Sequence, residues 1–265
     1  MKDLEIYCVT NKRLEFLENF NYKLSWVGLD KCPPGYIQSS NKKNIHKKEK
    51  FYSELTFHYW YWKNLLDLKI NNWVGFCQKR RFWIKKNSNQ NLSEIKEHLI
   101  TESNSEWSNY DVILCEPIKV NNVKKIKMIK RGFRSIIKDP RIFFDKNKQS
   151  LKFHFDMHHG YGNIEKAITK LDQKERDDFL KFLNENTSFN PHIMCITKPK
   201  ILNKWFQELF GWLEKCETIF EFDELKGYDT QRLFAYLAER YMSFWFNKYY
   251  KVLNWPWAFY EESKN

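Results

Sequence analysis

The first apolar run of the chain decides the fold. Residues 4–13 have the sequence Leu4-Glu5-Ile6-Tyr7-Cys8-Val9-Thr10-Asn11-Lys12-Arg13. The first six residues favour a β-strand, and the polar residues after them predict a loop. A core strand that leads into a loop is the typical start of a nucleotide-binding α/β domain. The stretch therefore predicts the first core strand of an α/β fold.

Strand and helix patterns follow one another along the rest of the chain. An aromatic segment at 53–66 predicts a mostly buried helix that is capped by Ser53. The other predicted elements are strands at 73–77, 110–115 and 193–197 and helices at 163–184, 199–216 and 228–246. This order predicts a single domain over residues 1–265, in which helices flank a mixed central sheet.

Two polar segments interrupt this alternation. Residues 30–50 contain Pro33-Pro34-Gly35 and many Lys and Asn residues, which is typical of a long mobile loop. Residues 119–141 are basic and are expected to be irregular. A solvated charged face is the favoured interpretation of this second segment, and a loop that faces a substrate or a membrane is the alternative.

Composition and charge limit the class of protein. Hydrophobic residues make up 42% and aromatic residues 18% of the sequence, which is typical of a folded chain and excludes a disordered one. The net charge of +12 favours polyanions, anionic membrane surfaces or phosphate-bearing substrates as partners, without choosing among them.

Cysteine usage and the terminal sequence predict the location. The six cysteines form no Cys-x-x-Cys pair and several lie in apolar runs, so we expect reduced thiols in the core. The N-terminus has no apolar signal segment, and no later apolar run approaches the ~18 residues of a membrane span. These features favour a cytoplasmic protein, with peripheral association with the inner membrane as an option.

Several polar residues stand out within the predicted helices. Glu54 and His58 are one turn apart, either on a surface strip or facing a ligand pocket. Arg240 falls within the apolar stripe of the last helix, where it must pair or bind an anion because an unpaired buried charge is costly. Arg232 and Glu239 share another face, where they could form a structural ion pair or bind a ligand.

A histidine-rich run has the residue types of a metal site. His154, Asp156, His158 and His159 could ligate Zn²⁺ or Mn²⁺. Alternation predicts a strand at 153–158 with three of these side chains on one face, and three ligands from one strand rarely converge. A metal site is therefore the less favoured interpretation.

Four blocks of sequence together resemble one protein family. They are Ile6-Tyr7-Cys8-Val9-Thr10-Asn11-Lys12, the aromatic segment 52–64, Val74-Gly75-Phe76-Cys77-Gln78-Lys79-Arg80-Arg81-Phe82, and Gly227-Tyr228-Asp229-Thr230-Gln231-Arg232 with Ala238-Glu239-Arg240. In this order they resemble domain-of-unknown-function family 4422, which is found in capsular and exopolysaccharide gene clusters and is associated with glycosyltransferase activity. The usual family pattern has His in place of Asn11 and His-Tyr in place of Gln78-Lys79.

The resemblance implies a GT-A-like nucleotide-diphosphosugar transferase fold. It also implies a nucleotide-sugar donor, expected to be a UDP-sugar, and a polysaccharide, lipooligosaccharide or lipid-linked glycan as acceptor. The reaction is then hexosyl transfer, with galactofuranosyl transfer as one option. The expected partners are the donor, the glycan acceptor and, peripherally, an anionic membrane surface, whereas nucleic acid is not expected.

Glycosyl transfer from a nucleotide diphosphate needs a nucleotide pocket, cations for the diphosphate and a base for the acceptor hydroxyl. The residues expected to contact the donor are Thr10, Asn11, Lys12, Lys63, Arg80, Arg81, Glu116, Arg232 and Arg240. The candidates for the base, or for binding sugar hydroxyls, are Glu239, Asp229, Glu54, His192 and His158.

The expected diphosphate site uses arginine rather than metal. GT-A-type enzymes commonly bind a divalent metal with an Asp-x-Asp motif, and this chain contains none. Glu116 offers one carboxylate at a strand end, which is a poor site for Mg²⁺ or Mn²⁺. Guanidinium groups bind phosphate oxygens without metal. We therefore predict metal-independent binding through either Arg80 or Arg81, on opposite faces of one strand, with a Mn²⁺ or Mg²⁺ cofactor as the alternative.

Two other functions compete with this interpretation. The positive charge and interleaved aromatic residues would suit a nucleic-acid-binding protein, although the aromatic residues lie in helices that are expected to be buried. His154, Asp156 and His158 would suit a metal-dependent hydrolase.

Overall fold

The computed structural model describes residues 3–88 and 95–262, apart from the side chain of Tyr228. The chain divides into two compact units. Unit 1 comprises Met1–Glu116, His192–Glu208 and Phe246–Asn265, and unit 2 comprises Pro117–Pro191 and Leu209–Trp245. The single domain expected over 1–265 stays a prediction.

The described strands form two sheets. In chain order they are β1 (Leu4–Thr10), β2 (Lys23–Trp26), β3 (Ile37–Gln38), β4 (Trp73–Gln78), β5 (Arg81–Trp83), β6 (Val112–Cys115), β7 (Ile118–Lys119), β8 (Ser188–Phe189), β9 (Cys195–Thr197), β10 (Val252–Trp255) and β11 (Trp257–Phe259). The nine-stranded sheet of unit 1 has the order β10-β6-β9-β4-β1-β2-β3, and β5 joins β4 to β11. β7 and β8 pair with each other in unit 2.

The strand directions bring most strand ends in unit 1 to one edge. β1 is parallel to β2 and β4, and β6 is parallel to β10. Because β9 is antiparallel to both β4 and β6, these two strands run in the same direction. β1, β2, β4, β6 and β10 therefore all end at the same edge, which we call the carboxyl edge. The mixed α/β architecture predicted from the sequence is confirmed.

The described α-helices flank these sheets. They are α1 (Glu49–Tyr52), α2 (Leu55–Asn64), α3 (Ile95–His98), α4 (Lys125–Lys138), α5 (Arg141–Phe144), α6 (Leu151–His159), α7 (Asn163–Ile168), α8 (Gln173–Glu185), α9 (Pro199–Cys216), α10 (Tyr228–Gln231) and α11 (Leu233–Tyr249). Short 3-10 helices occur at Glu15–Leu17, His46–Lys48, Ser105–Asn109, Lys146–Lys148 and Phe222–Glu224. None of the helices in the described part of the chain combines the length and the apolar composition of a membrane span.

Aromatic side chains supply much of both cores. In unit 1, α2 packs on the sheet through Phe57 and Tyr61, whose rings lie 5.8 and 5.0 Å from that of Tyr7 in β1. In unit 2, the ring of Phe179 in α8 lies 6.1 Å from Trp212 and 4.9 Å from Phe244. The heavy aromatic content is thus largely explained by packing.

The six cysteines, Cys8, Cys32, Cys77, Cys115, Cys195 and Cys216, are all free. All of them except Cys32 are buried. The prediction that the cysteines lie unpaired in the core is confirmed for the five buried ones. Cys32 is only partly buried.

Two predictions of irregular or extended structure are wrong. Residues 153–158 belong to α6 and not to a strand, because the Ser150 side chain caps the helix by accepting a hydrogen bond from the amide of Phe153. Within 119–141, expected to be irregular, α4 forms because Met128, Gly132 and Ser135 recur at helical spacing on its buried side.

Three predicted element bounds are also corrected. The long loop at 30–50 contains β3 and a 3-10 helix, since Ile37 and Gln38 pair with β2. The helix predicted at 163–184 is two helices, α7 and α8, and that at 228–246 is broken at Arg232 into α10 and α11. Ser53 has a positive φ of 53° and ends α1, so it does not cap α2 with its side chain.

Candidate active site

The carboxyl edge of unit 1 gathers residues that are far apart in sequence. Thr10 is the last residue of β1, Lys79 follows β4, and Glu116 follows β6. His192 comes three residues before β9, which starts at this edge because it runs antiparallel to its neighbours. A cluster at the ends of parallel strands is where α/β sheets bind ligands.

The loop after β1 is a tight turn that leaves its polar side chains exposed. The buried Thr10 hydroxyl donates to the carbonyl of Lys12 (2.6 Å) and accepts from the amide of Lys12 (2.9 Å). Asn11 and Lys12 are therefore held outward. The Oδ1 of Asn11 accepts a 2.5 Å hydrogen bond from the Nζ of Lys79, which ties this loop to the end of β4.

Arg80 and Arg81 lie in a hairpin rather than on one strand. Gln78 pairs with Arg81, so Lys79 and Arg80 form the two-residue turn between β4 and β5. Both guanidinium groups approach the same ring, that of Phe259, at 5.8 and 5.7 Å from its centroid. The prediction that they point to opposite faces of a strand is wrong, because Arg80 lies in the turn and only Arg81 belongs to a strand.

The C-terminal strand β11 completes the carboxyl edge. The amide of Tyr260 donates to the carbonyl of Arg80 (3.0 Å), and the indole N–H of Trp257 donates to the carbonyl of Glu116 (3.4 Å). Arg80 also forms a long ion pair with Glu261 (3.4 Å), whose side chain is 52% exposed. Such an exposed pair is weak and leaves the guanidinium able to bind another anion.

His192 stands beside this group as a neutral imidazole. Its ring lies 4.5 Å from the ring of Trp257 in an edge-on arrangement, and its backbone φ is 67°, in the left-handed region. Burial, with a smaller contribution from the charge of Arg81, lowers the pKa of His192 to about 3. A non-glycine residue with positive φ is strained, and such strain is often found at functional sites.

The carboxylate of Glu116 is exposed at the same edge. Its backbone is fixed, since its amide donates to the carbonyl of Trp255 (3.0 Å). Within residues 3–88 and 95–262, no group of three or more His, Cys, Asp or Glu side chains is arranged to hold a metal ion. A divalent ion here would gain one carboxylate from Glu116 and would need its other ligands from phosphate oxygens and water.

Helix α2 places Glu54 and Lys63 at opposite ends. His58 lies 6.0 Å from Phe206 in α9, and Trp62 donates to Asn203, so the two helices run antiparallel. Since α9 begins just after β9 ends, Lys63 lies toward the far edge of the sheet and Glu54 toward the carboxyl edge. Lys63 sits 3.0 Å from the ring centroid of Trp62.

His58 lies neither on a surface strip nor in a ligand pocket. It is buried against the ring of Phe76, 4.3 Å away, and burial lowers its pKa to about 3. It belongs to the core of unit 1.

Unit 2 contains two further residues that were predicted for the site, Arg240 and Glu239. With His154 and Phe189, which contact Arg240, they form a group that we call the Arg240 cluster. Arg240 is buried; its Nη1 donates to Glu239 (2.6 Å) and its Nη2 to the Nδ1 of His154 (3.1 Å). Its guanidinium lies 3.6 Å from the ring centroid of Phe189. Glu239 forms an ion pair with its neighbour Arg240, and Arg232 lies half-buried between α10 and α11.

Asp229 also has a partner within unit 2. Its carboxylate accepts a 2.9 Å hydrogen bond from Arg131, and both side chains are more than 40% exposed. They line an open cavity of about 470 Å³ together with Arg134, His158 and Tyr161.

The histidine-rich run spreads around α6. Asp156 pairs with Lys152 (2.7 Å) and accepts from the amide of Gly162 (3.0 Å), whereas His159 stacks on Tyr236 with ring centroids 3.7 Å apart. His154 turns to Arg240. The helix therefore directs these side chains to separate partners.

One known protein family matches nearly the whole chain. The model of the family described as domain of unknown function (DUF4422) matches residues 5–250. The chain belongs to the DUF4422 family. A comparison with curated proteins found no match.

Among solved structures, this DUF4422 chain is similar to the apo structure of the bifunctional glycosyltransferase WbbM. The TM-score is 0.66 at 17% sequence identity, over 98% of this chain and 45% of that one. The chain thus spans less than half the length of that protein. The likeness, with the mixed sheet flanked by helices, establishes a GT-A-like fold.

Two of the four blocks that resemble the DUF4422 pattern lie at the carboxyl edge. The first lies in β1 and its loop, and the third in β4, the hairpin and β5, while the fourth lies in α10 and α11 of unit 2. Asn11 and Lys79, two of the positions that depart from the usual pattern, bond directly to each other. These two residues, which differ from the family pattern, are therefore partners in a single hydrogen bond.

Several residues of the carboxyl edge were not predicted from the sequence. They are Lys79, Trp257, Phe259 and Glu261. The alternating aromatic residues of 255–260 were a usable signal, because they predict a half-buried strand. The pairing of β11 with β5, which brings them to the arginines, has no signal in a single sequence.

Proposed function

We propose that the protein is a glycosyltransferase that transfers a sugar from a nucleotide-sugar donor, a UDP-sugar, to a glycan acceptor. The observation that carries the proposal is the cationic carboxyl edge, with Lys12, Lys79, Arg80 and Arg81, in a chain of the GT-A-like fold. The acceptor class, a polysaccharide, lipooligosaccharide or lipid-linked glycan, follows from the family resemblance. Hexosyl transfer, with galactofuranosyl transfer as one option, follows in the same way. The free thiols support a cytoplasmic location.

The hairpin between β4 and β5 is assigned to the diphosphate. Departure of a nucleoside diphosphate develops negative charge on phosphate oxygens, which fixed cations stabilise. Arg80 lies in the turn and Arg81 is the first residue of β5, and both are near one ring, so both can reach the same anion. Guanidinium groups bind phosphate in two-point hydrogen bonds, and this arrangement supports donor binding without a metal.

The neighbouring residues are assigned to the rest of the donor. Thr10, Asn11 and Lys12 form the turn against which the nucleoside binds, and the indole of Trp257 offers a flat surface beside His192. A carboxylate that receives the proton of the acceptor hydroxyl is available in Glu116 or Glu54. His192 suits hydrogen bonding better than proton abstraction, because an imidazole with a pKa of about 3 is a weak base.

The direct test is thermal stabilisation by a panel of nucleotide sugars, followed by a transfer assay with the donor that stabilises most. A ligand at 100 times its dissociation constant stabilises the folded state by ~2.7 kcal/mol, which is readily measured. We expect one UDP-sugar to stabilise selectively. Stabilisation by single-stranded DNA alone, or by no nucleotide sugar, would contradict the proposal.

A further inference from the structure

Helix α4 exposes an apolar stripe to solvent. The α4 stripe consists of Ile126, Ile129, Phe133 and Ile137, whose side chains are 71%, 54%, 58% and 65% exposed. At 100° per residue, these positions fall within an arc of about 80° on one side of the helix. Single exposed apolar residues are normal in proteins, but a contiguous set marks a surface that binds a membrane or another protein.

The other side of α4 already has its packing partners. Met128 belongs to a small core with Ile142, Phe153 and Met157. Gly132 lets α4 approach α6 closely, since a Cβ at this position would lie 2.7 Å from the ring of Phe153. The α4 stripe is therefore not required to hold the helix in unit 2.

A strip of cations adjoins the α4 stripe. Lys127, Lys130, Arg134 and Lys138 occupy the neighbouring arc and are exposed, and α4 contains no Asp or Glu. Shortly after α4, Phe144 is 81% exposed. A helix with one apolar side, bordered by Lys and Arg, is the type that lies in the interface of an anionic membrane.

We propose that the α4 stripe binds the surface of an anionic lipid bilayer. The helix lies parallel to the membrane, with the isoleucines and Phe133 at the acyl boundary and the neighbouring cations on lipid phosphates. Charge complementarity favours this occupant over a protein surface, which would have to present an acidic border to the same strip. The proposal does not depend on the proposed function, since donor binding is assigned to unit 1.

The test is co-sedimentation with vesicles of phosphatidylcholine containing phosphatidylglycerol, and with vesicles of phosphatidylcholine alone. We expect at least tenfold stronger binding to the anionic vesicles, weakened by added salt. Phe133→Ser/Ile137→Ser and Lys127→Glu/Lys130→Glu should each reduce binding at least tenfold. As a matched control, Lys174→Glu/Lys181→Glu on the exposed side of α8 makes the same change in net charge and should retain binding.

Folding and nucleotide binding are measured on each variant. The substituted side chains are exposed, so the unfolding midpoint and the affinity for UDP should not change. Equal losses in the α4 and α8 charge variants would mean that net charge alone attracts the protein, which would overturn the proposal. Absence of vesicle binding would also overturn it, as would a dimer, detected by light scattering, that Phe133→Ser/Ile137→Ser dissociates.

Discussion

The carboxyl edge and the Arg240 cluster each place arginine near histidine, yet they hold the arginine differently. Arg240 is buried, with Glu239, His154 and Phe189 all within contact distance. Arg80 is half-exposed in a turn and meets a weak, exposed partner in Glu261. A buried guanidinium with internal partners stabilises the fold, whereas an accessible one can bind a ligand. We therefore expect a structural role for the Arg240 cluster and, under the proposed function, donor binding at the carboxyl edge.

The largest expected effect is on stability at the Arg240 cluster. Arg240→Ala should reduce the free energy of unfolding by about 3–5 kcal/mol, because it leaves Glu239 and His154 without the group that they contact. Urea unfolding monitored by circular dichroism measures this loss. A change below about 1 kcal/mol would contradict the structural role.

Acidification should destabilise both regions through their neutral imidazoles. Burial and a nearby arginine lower the pKa of His154 to about 2 and that of His192 to about 3, from an ordinary value of 6.5. Below pH 6.5 the unfolded chain binds protons that the folded state excludes, so stability is complete above pH 6.5 and falls as the pH falls.

Between pH 6.5 and 5, each imidazole should account for about 1–2 kcal/mol of this loss, at 1.36 kcal/mol per pKa unit. Urea titrations of wild type, His154→Gln and His192→Gln at the two pH values test it. A variant whose stability depends on pH as steeply as wild type would show that the imidazole it lacks is not held neutral.

Glu239→Gln tests whether the Arg240 cluster depends on the charge of Glu239 or on its hydrogen bond to Arg240. The amide keeps a hydrogen-bond acceptor for Arg240 but removes the charge, so we expect a loss of about 1–2 kcal/mol in unfolding free energy. Sugar transfer per folded molecule should stay at the wild-type level. A folded variant with little transfer would instead support the catalytic role predicted for Glu239 from the sequence.

The smallest effect is expected at an exposed ion pair in unit 2. Arg141 bonds to Asp139 (2.8 Å), but its side chain is 71% exposed. Arg141→Ala should change neither the unfolding midpoint nor UDP affinity, because exposed pairs contribute little. A clear change in either would mean that arginines affect this protein through net charge rather than position.

Much of the fold could be predicted from local patterns. Residues 4–9 and 73–77 were expected as core strands because their apolar runs are β-rich, and 199–216 as a helix because Trp205, Leu209 and Leu213 recur at core spacing. The strand predicted at 153–158 was wrong. Apolar and polar residues alternate there, as in a strand, but the same sequence also fits a helix. The capping bond from Phe153 to Ser150 and the packing of α6 decided between them.

The candidate site was predicted only in part. Thr10, Arg80 and Glu116 follow strands, and the rule that ligands bind at strand ends brings them together without a structure. The turn that contains Arg80 and leads into Arg81 depends on the register between Gln78 and Arg81. The contact of both arginines with Phe259 depends on a pairing of distant strands. Such long-range pairings cannot be derived from one sequence.

The most direct test of the account is calorimetric titration of UDP in the presence of EDTA, on wild type, Arg80→Ala, Arg81→Ala and the control Arg141→Ala. We predict that wild type and the control bind UDP without metal. Arg80→Ala, Arg81→Ala or both should bind at least tenfold more weakly, a difference of about 1.4 kcal/mol. Loss of wild-type binding on chelation, with both hairpin variants binding normally when Mg²⁺ or Mn²⁺ is restored, would contradict the account and assign the diphosphate to a metal ion beside Glu116.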